Sequence, residues 1–572
     1  MGVLMLGAPE RPAGFYYAPL HIAQSLSILR AECSVSGVTF RDVQAGEYYL
    51  YRNALESLIT QGFDELFETR ISGPLFADEV RGLLERFAFH ARLGIHSRLE
   101  SDWRPNESVV DHLSKLYVGL LQKNCSQTLV NEASQVFIHC PGIDLYGPLT
   151  LASVVREIDD DVPIILLGDY TYEPSIPALR ALLSMRDMHG DDISSLVAMD
   201  PSYRQIRSAL IRMVDVMIEG EGFDVLRRWY GATPQAETSV SGPASDSATY
   251  VSDSTGSVRQ SIPDFSLAQS PPESSNGAIL SLIRSNRTHP NFHPIPDYSD
   301  MLSGYVRGQF EFSRGCTYSC AFCERTTNWE KKVMCKDPAR AVEEIKFLLQ
   351  KHPGWKWSCW DAALDIAVDE SYEFLKLVKA EGLYFDWKTA LRLRPLPKDY
   401  LDLMAGTGCT RISFGFESAD LDVLKSMYKS NNEAIVANRI LEQCSSLPFE
   451  LVGLYHMLGW PTDSFAAQKK TWDFFEAWSK RLPNLTVPSG LYIPGPSQGL
   501  KHALYEKWGI RLVPVSPRTV AEATIMSLDI GRFGALHYEN GMSREDLVTV
   551  SDWYRELPYV TGVPGVVRQT GE

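Results

Sequence analysis

The sequence has no apolar run long enough to cross a membrane, and it is short of positive charge. No stretch approaches the roughly 18–20 consecutive apolar residues that a membrane-spanning helix needs. The 572 residues carry a formal net charge of −16, and an acidic chain is a poor binder of polyanions. These absences argue against a membrane protein and against a nucleic-acid substrate.

Cysteine is also scarce, and no secretion signal accompanies it. The chain has ten cysteines in its 572 residues. Its first residues, MGVLMLGAPE, lack the basic start and the small-residue cleavage site of a signal peptide. Thiols in a long chain of this kind serve more often as core residues or metal ligands than as disulfides. We therefore expect a cytoplasmic protein with free thiols.

Short apolar runs alternate with helical patterns over residues 1–231. The clearest strand patterns are residues 2–7, 134–140, 162–169 and 214–222. The run VPIILLGD at 162–169 is apolar throughout, which is typical of a parallel strand buried on both faces. The alternation predicts a doubly wound, Rossmann-like α/β domain with a mostly helical insert at 45–130. Such a sheet binds its ligand beyond the carboxyl ends of its strands.

The rest of the chain divides by composition and periodicity. Residues 232–304 include a stretch rich in Ser, Pro, Gly, Ala and Thr and are predicted to be a flexible insert and linker. Residues 305–500 contain about six strand–helix units, which predict a parallel (β/α)6 partial barrel. Residues 501–572 indicate a small, mainly helical C-terminal region.

Three cysteines stand together in CTYSCAFC, with the spacing C-x3-C-x2-C. They are Cys316, Cys320 and Cys323, and they follow a predicted strand at 309–314. A zinc site would need a fourth ligand, for which Cys335 is the nearest thiol. A cubane iron–sulfur cluster could instead take three thiolates and leave one iron open. Core thiols without a metal are the third alternative.

The cysteine segment resembles the C-x3-C-x-aromatic-C motif of the radical S-adenosylmethionine (SAM) superfamily, with Phe322 as the aromatic residue. The resemblance implies that Cys316, Cys320 and Cys323 are the catalytic and metal-binding residues and hold a 4Fe-4S cluster. The open iron would chelate the amino and carboxylate groups of SAM. Reduction by a donor such as flavodoxin or ferredoxin would then yield methionine and a 5′-deoxyadenosyl radical.

Further segments carry the same resemblance. RISFGFES is similar to the IGIES element of the fourth barrel strand, which implies that Glu417 and Ser418 contact SAM. HMLGWPTDS and YIPGPSQGL are similar to the segments after the fifth and sixth strands. Phe322 is implied to lie against the adenine.

Two contacts to SAM are less directly matched. The usual GGE after the second strand is replaced by CWDAALD, so Asp361 is the candidate for the contact to the SAM amino group. Arg392 and Arg394 follow the third strand. They either hold the SAM carboxylate or form an ordinary salt bridge.

The first domain resembles that of the cobalamin-binding radical SAM family. APLHIAQSLSIL looks like the family's PPxxPLGLAYLAAYL, and VDVMIEGEGFDVL looks like its D-x-VVRGEGE. The candidate contacts to cobalamin are Gly142, Gly168, Asp169, Gly220, Glu221 and Gly222. No D-x-H-x-x-G motif occurs, and Phe137 stands where that motif would place its aspartate before His139. We expect cobalamin to bind without histidine on the cobalt.

Together these resemblances imply a cobalamin-dependent radical SAM methyltransferase. It would methylate an unactivated carbon of a small natural product, amino acid or peptide, by hydrogen abstraction and methyl transfer from methylcobalamin. The first alternative is a radical SAM enzyme that catalyses a rearrangement, cyclisation or epimerisation. The second, of another class, is a non-catalytic cobalamin- or zinc-binding regulator. The oligomeric state is left open.

Overall fold

The computed structural model describes most of the predicted barrel and the central strands of the first domain. The described residues are 2–7, 20–42, 125–140, 146–168, 213–231, 248–252, 258–261, 272, 279–285, 288–301, 307–323, 332–429, 433–492, 510–514 and 534–538, with isolated positions between 542 and 561. The chain forms two compact units. The first includes Arg104–Tyr305 and the second includes Val306–Val513.

The sheet of the first unit has eight strands in the order β2-β1-β3-β4-β5-β8-β6-β7. They are β1 (Val3–Gly7), β2 (Val38–Asp42), β3 (Gln135–Cys140), β4 (Ile164–Gly168), β5 (Val216–Glu219), β6 (Ala248–Ser252), β7 (Val258–Ser261) and β8 (Ile279–Arg284). Strands β1 to β5 are parallel to their neighbours. Their order, 2-1-3-4-5, is that of flavodoxin-like doubly wound sheets, which bind ligands where β1 and β3 diverge.

Helices surround these parallel strands as the sequence predicts. They are α1 (Leu20–Ser27), which continues into a π-helical turn (Ile28–Glu32), α2 (Gln127–Asn131), α3 (Tyr146–Ile158) and α4 (Phe223–Trp229). The turn before α4 needs glycine for packing. Gly222 has φ of +72°, and a Cβ there would lie 2.4 Å from Cδ1 of Leu167.

The prediction that residues 232–304 are flexible is wrong for the segments that form β6, β7 and β8. Strand β8 runs parallel to β5, and β6 runs antiparallel to β8 and β7, so the three strands extend the sheet. Their sequences, ATYVS, VRQS and ILSLIR, contain β-branched residues that suit a strand. The segments between these strands are rich in Ser and Gly, which is typical of flexible linkers, so the strands were not predicted. The domain boundaries themselves stay predictions.

The second unit contains a seven-stranded parallel sheet in the order β19-β16-β15-β14-β13-β12-β9. Its strands are β9 (Arg307–Phe310), β12 (Lys356–Cys359), β13 (Trp387–Arg392), β14 (Cys409–Glu417), β15 (Leu451–Leu458), β16 (Leu485–Leu491) and β19 (Val560–Thr561). An antiparallel pair, β10 (Ser313–Gly315) and β11 (Val333–Cys335), follows β9. The first six strands of the sheet confirm the predicted (β/α)6 arrangement.

In the described part of the second unit, helices alternate with the strands. They are α5 (Pro338–Lys351), α6 (Val368–Ala380), α7 (Tyr400–Gly406), α8 (Leu421–Ser426), α9 (Glu433–Cys444) and α10 (Phe465–Ser479). The start of α5 shows why the sequence folds as expected. Asp337 caps it by accepting hydrogen bonds from the backbone N–H groups of Ala339 and Arg340, and Pro338 occupies the first turn.

The C-terminal region was predicted to be mainly helical, but its described residues include three short strands. They are β17 (Ile510–Pro514), β18 (Gly534–Tyr538) and β19. Strand β19 pairs with β16, where Val560 stands opposite Val487. Strands this short leave too little periodicity in a sequence to be recognised.

Two neighbouring glycines give a matched test of the barrel's packing. Gly408 has φ of +89°, and a Cβ there would lie 2.3 Å from the carbonyl oxygen of Phe385. A Cβ at Gly406, the last residue of α7, would meet nothing within 4 Å. We expect Gly408→Ala to destabilise the protein by at least about 1–3 kcal/mol because of backbone strain. Gly406→Ala should be neutral or stabilising. Equal urea midpoints for the two variants would contradict this packing.

Candidate functional site

The three predicted cysteine ligands lie in one loop directly after β10. Cys316 and Cys320 are buried, Cys323 is partly buried, and none is in a disulfide. Cys316 is close enough to the other two for their charges to act on its pKa, which is raised mainly by burial. Among the residues that the structure describes, no three His, Cys, Asp or Glu side chains converge as ligands of a single ion. Three thiols on one short loop can reach three corners of a cubane and leave one iron open, whereas a zinc ion would need a fourth ligand, so the donor set present fits a cluster.

Asp361 lies beneath the start of the cysteine loop. Its Oδ1 accepts a hydrogen bond from the backbone N–H of Phe312 at 2.8 Å. Its Oδ2 accepts from the backbone N–H of Ser313 at 2.8 Å and from the Ser313 hydroxyl at 2.6 Å. Burial raises the pKa of Asp361, and the hydrogen bonds from Ser313 and Phe312 oppose that rise. Asp361 therefore fixes the chain that leads into the loop, while its contact to SAM stays a prediction.

Arg392, the last residue of β13, reaches the cysteine loop. Its Nη1 lies 3.4 Å from Sγ of Cys320, and its guanidinium carbon lies 3.6 Å from the ring centroid of Tyr318. Its backbone N–H donates to Oδ1 of Asp365 at 2.9 Å. Arg394 turns instead to the carbonyl oxygen of Asp365, at 3.2 Å from its Nη1. Burial raises the pKa of Asp365 to about 6. The two predicted arginines therefore have different partners. Arg392 contacts the cysteine loop, and Arg394 contacts the backbone of Asp365.

Phe322, the aromatic residue of the motif, borders an apolar cluster. The buried members are Ala321, Val423, Leu424, Met427, Trp460, Ala467 and Tyr492. The rings of Phe322 and Trp460 meet edge to face with centroids 6.4 Å apart. The backbone N–H of Ala321 donates to the carbonyl oxygen of Met427 at 2.9 Å. The end of α8 therefore supports the far side of the loop.

Glu417 and Lys429 form a buried ion pair at the carboxyl end of β14. Nζ of Lys429 lies 3.4 Å from Oε1 of Glu417 and donates to the carbonyl oxygen of Gly415 at 2.8 Å. Glu417 has φ of +64°, which is unusual for a residue with a side chain and costs about 1–3 kcal/mol. In the sheet register Arg392 stands beside Gly415. The ends of β13 and β14 thus bring Arg392, Glu417 and Lys429 together.

Two residues of this site have no distinguishing signal in the sequence. Lys429 follows a helical pattern, and no motif in the sequence distinguishes it from a surface lysine, yet it is buried and its Nζ lies 5.9 Å from the ring centroid of Phe322. Tyr318 occupies one of the variable positions of the cysteine motif. Only its spacing from Cys316 and Cys320 could have drawn attention to it.

Ser418, the other predicted SAM contact on this strand, is fully buried. Its hydroxyl accepts a hydrogen bond from the backbone N–H of Asp420 at 3.1 Å and lies 3.3 Å from the hydroxyl of Thr471. These contacts shape the turn between β14 and α8. A contact between Ser418 and SAM stays a prediction.

Four of the six predicted cobalamin contacts lie in the part of the first unit that the structure describes. Gly168 ends β4, and Gly220 and Gly222 have φ of 100° and 72°. Glu221 is buried, accepts a hydrogen bond from the backbone N–H of Thr288 at 3.1 Å, and lies 3.6 Å from Nε2 of His293. Gly142 and Asp169 lie outside the described residues.

The carboxyl ends of the first unit's parallel strands lie at the edge where doubly wound sheets bind their ligands. Strand β1 ends at Gly7, β4 ends at Gly168, and Gly220 follows β5. Positions without side chains let the backbone approach a ligand closely. His139, near the end of β3, is buried with its ring centroid 5.2 Å from that of His21. This edge fits the group that the sequence resemblance implies.

Comparison with known proteins decides the family of the barrel. Residues 310–463 match the model described as the radical SAM superfamily. These residues form a radical SAM domain.

Two of the curated relatives are a methyltransferase and a methylase by name. Cytidylyl-2-hydroxyethylphosphonate methyltransferase of Streptomyces wedmorensis is 26% identical over 174 residues, which are 30% of this chain and 33% of that protein. Hopanoid C-2 methylase of Rhodopseudomonas palustris is 26% identical over 205 residues, 34% of this chain and 37% of that protein. The chain therefore spans about a third of the length of these relatives.

Solved structures extend the likeness in fold beyond the radical SAM domain. One is the radical SAM methyltransferase TsrM of Kitasatospora setae, with tryptophan and a SAM analog bound. The match covers 99% of this chain and 92% of TsrM, with a TM-score of 0.53 and 12% identity. The cobalamin-dependent SAM radical enzyme OxsB covers 96% of this chain, which covers 66% of OxsB, with a TM-score of 0.51 and 12% identity. At such identity the likeness shows the fold.

The charged groups and the thiols described above lie at one end of the parallel sheet. The cysteine loop, Arg392 and the Glu417–Lys429 pair all lie at the carboxyl ends of its strands, the usual position for sites of parallel barrels. The described helices include none with the length and hydropathy for crossing a bilayer.

Proposed function

We propose that this protein is a cobalamin-dependent radical SAM methyltransferase that methylates an unactivated carbon of a small natural product, amino acid or peptide. The observation that carries the proposal is a loop with three free thiols, one of them in contact with Arg392, at the same end of the barrel as the buried Glu417–Lys429 pair. When bound, a 4Fe-4S cluster would supply the electron that cleaves SAM to a 5′-deoxyadenosyl radical, and cobalamin would supply the methyl group.

The residues of the barrel have complementary tasks in this proposal. Cys316, Cys320 and Cys323 would hold three irons of a cluster, and the motif, which has no fourth cysteine, would leave the remaining iron for SAM. The methionine part of SAM carries one carboxylate and one ammonium group. Lys429 offers a positive charge for the carboxylate, and Glu417 offers a negative charge for the ammonium group.

The apolar surface around Phe322 suits the adenine of SAM. The ring of Phe322 is partly buried against Trp460, and flat aromatic groups pack well on such surfaces. Asp361 and the end of α8 hold both sides of the loop, so that Phe322 and the three thiols keep their relative positions.

Support for cobalamin and for a small substrate comes from the first unit and from the similar proteins. Glycines stand at the ends of β1 and β4 and directly after β5, where the lack of a side chain would let a flat group approach the backbone. TsrM is described as a methyltransferase with cobalamin and a [4Fe-4S] cluster bound, and in a second structure with tryptophan as its substrate. We extend these properties to the present chain as part of the proposal.

One relative favours a second candidate function. The anaerobic magnesium-protoporphyrin IX monomethyl ester cyclase of Rubrivivax gelatinosus is 23% identical over 198 residues, and its name describes a cyclisation. A non-methylating radical reaction is therefore the alternative to test.

Product analysis separates the candidates. The protein is reconstituted anaerobically with iron and sulfide, then given titanium citrate, methyl-deuterated SAM, a catalytic amount of hydroxocobalamin and a panel of amino acids, peptides and small natural products. We expect 5′-deoxyadenosine and S-adenosylhomocysteine in equal amounts, with a mass increase of the substrate. 5′-Deoxyadenosine with a changed substrate but no S-adenosylhomocysteine would favour the cyclase-like alternative. Bound zinc without sulfide would contradict both and favour a regulator.

A further inference from the structure

We propose that Arg392 is a positioning residue that acts on the cluster through Cys320, and that its hydrogen bond to the Cys320 sulfur raises the reduction potential of the cluster. This inference rests on the proposed function, because it requires that Cys320 binds iron. It differs from the assignment of Arg392 to the SAM carboxylate that the sequence suggests.

The position of the guanidinium carries the inference. Nη1 of Arg392 lies 3.4 Å from Sγ of Cys320, within the range for a hydrogen bond to sulfur. The planar group stacks on Tyr318 at 3.6 Å from the ring centroid, and Tyr318 belongs to the same loop as the cysteine. A stacked guanidinium can turn in its own plane but cannot tilt away from the sulfur without losing the aromatic contact.

The backbone of Arg392 is held as well. Its N–H donates to Oδ1 of Asp365 at 2.9 Å, and Asp365 has no exposed surface. The backbone of Arg392 is therefore held at the end of β13, and its guanidinium is held against the ring of Tyr318. The donor is thus placed before any cluster or SAM is bound.

The consequence for the cluster follows from electrostatics. Reduction adds an electron, so a nearby positive charge stabilises the reduced state more than the oxidised state. Hydrogen bonds to cluster sulfurs raise the reduction potential in the same direction. Arg392 supplies both, because a guanidinium does not lose its proton in proteins, and Cys320 is buried away from water, which strengthens the effect.

A redox titration of the reconstituted protein tests the inference without any turnover. The potential of the cluster is measured anaerobically by electron paramagnetic resonance, with dithionite or titanium citrate as reductant and without SAM. Arg392→Gln should make reduction at least tenfold less favourable, a shift of about 59 mV for one electron. Arg392→Lys, which keeps the charge and loses the planar stack, should fall between Arg392→Gln and the unaltered protein.

Arg394→Gln is the matched control. Arg394 lies two positions farther along the chain and contacts the carbonyl oxygen of Asp365, so its loss should leave the potential unchanged. An equal shift in Arg394→Gln would overturn the inference, because a general effect of charge would then suffice. An Arg392→Gln protein with the original potential and weakened SAM binding would also overturn it and favour the carboxylate contact.

Failure of the proposed function has a different signature. If the unaltered protein takes up no iron and sulfide, the proposed function is wrong and the inference falls with it, because Cys320 then binds no iron. If only Arg392→Gln fails to assemble a cluster, Tyr318→Leu decides, since it removes the stack and no ligand. A lowered potential in Tyr318→Leu supports the inference, and an unchanged potential overturns it.

Discussion

Replacing Cys316 by alanine is expected to abolish both cluster assembly and the cleavage of SAM. Cys316 is buried in the loop after β10, and the two remaining thiols cannot hold three irons of a cubane. Anaerobic reconstitution followed by iron and sulfide analysis should therefore give little of either element, and no 5′-deoxyadenosine should form with SAM and titanium citrate. A variant that still forms 5′-deoxyadenosine at the original rate would show that the cluster is assigned to the wrong residues.

Cys335→Ala is the control for that loss. Cys335 is half-buried on β11, where it stands opposite Ser313, and burial raises the pKa of its thiol to about 12. It is the fourth thiol that a zinc site would need. We expect Cys335→Ala to keep its iron, its sulfide and its SAM cleavage. If this variant lost bound metal as completely as Cys316→Ala, a four-cysteine site would be the better interpretation.

The cysteine loop could be predicted from sequence because its ligands are neighbours in the chain. Spacing alone places Cys316, Cys320 and Cys323 on one loop, and the alternation of strands and helices places that loop at the end of a barrel strand. Local patterns of this kind can be recognised without knowledge of the tertiary structure. The same holds for the Asp337 cap and Pro338 at the start of α5.

Arg392 and Glu417 could be named from the sequence, but their contacts and the role of Lys429 could not. The pairing of β14 with β15 shifts between Gly415 and Glu417, and Glu417 takes up a left-handed backbone conformation. A one-residue irregularity reverses the face on which a side chain lies. Its partner Lys429 comes from the end of the next helix, and no periodicity connects the two. The contact of Arg392 with Tyr318 likewise joins segments far apart in the chain.

Glycines show how a functional interpretation and a packing requirement can coincide. Gly222 was predicted to approach a ligand, and the structure shows that its positive φ and the nearby Leu167 side chain already require glycine there. A glycine that approaches a ligand and a glycine that packing requires look the same in the sequence. A contact to cobalamin at Gly222 therefore needs separate support from binding experiments.

Lys429→Met is expected to lower both the stability of the protein and its affinity for SAM. The side chains of Lys429 and Glu417 are only 3% and 11% exposed. Removal of one partner leaves a buried charge without compensation, which costs about 3–5 kcal/mol. The variant should therefore unfold at a lower urea concentration. After reconstitution, equilibrium dialysis should show SAM binding weakened by at least about tenfold, which corresponds to about 1.4 kcal/mol.

The double variant Lys429→Met/Glu417→Gln separates the two effects. It removes both charges, so most of the lost stability should return, since a buried ion pair is often replaced by neutral groups at little net cost. Glutamine keeps the shape of Glu417 and the same backbone strain, which makes the comparison with Lys429→Met direct. SAM binding should stay weak in the double variant, because neither the carboxylate nor the ammonium group of SAM then meets its opposite charge. A double variant that binds SAM as tightly as the unaltered protein would show that the pair only stabilises the end of β14.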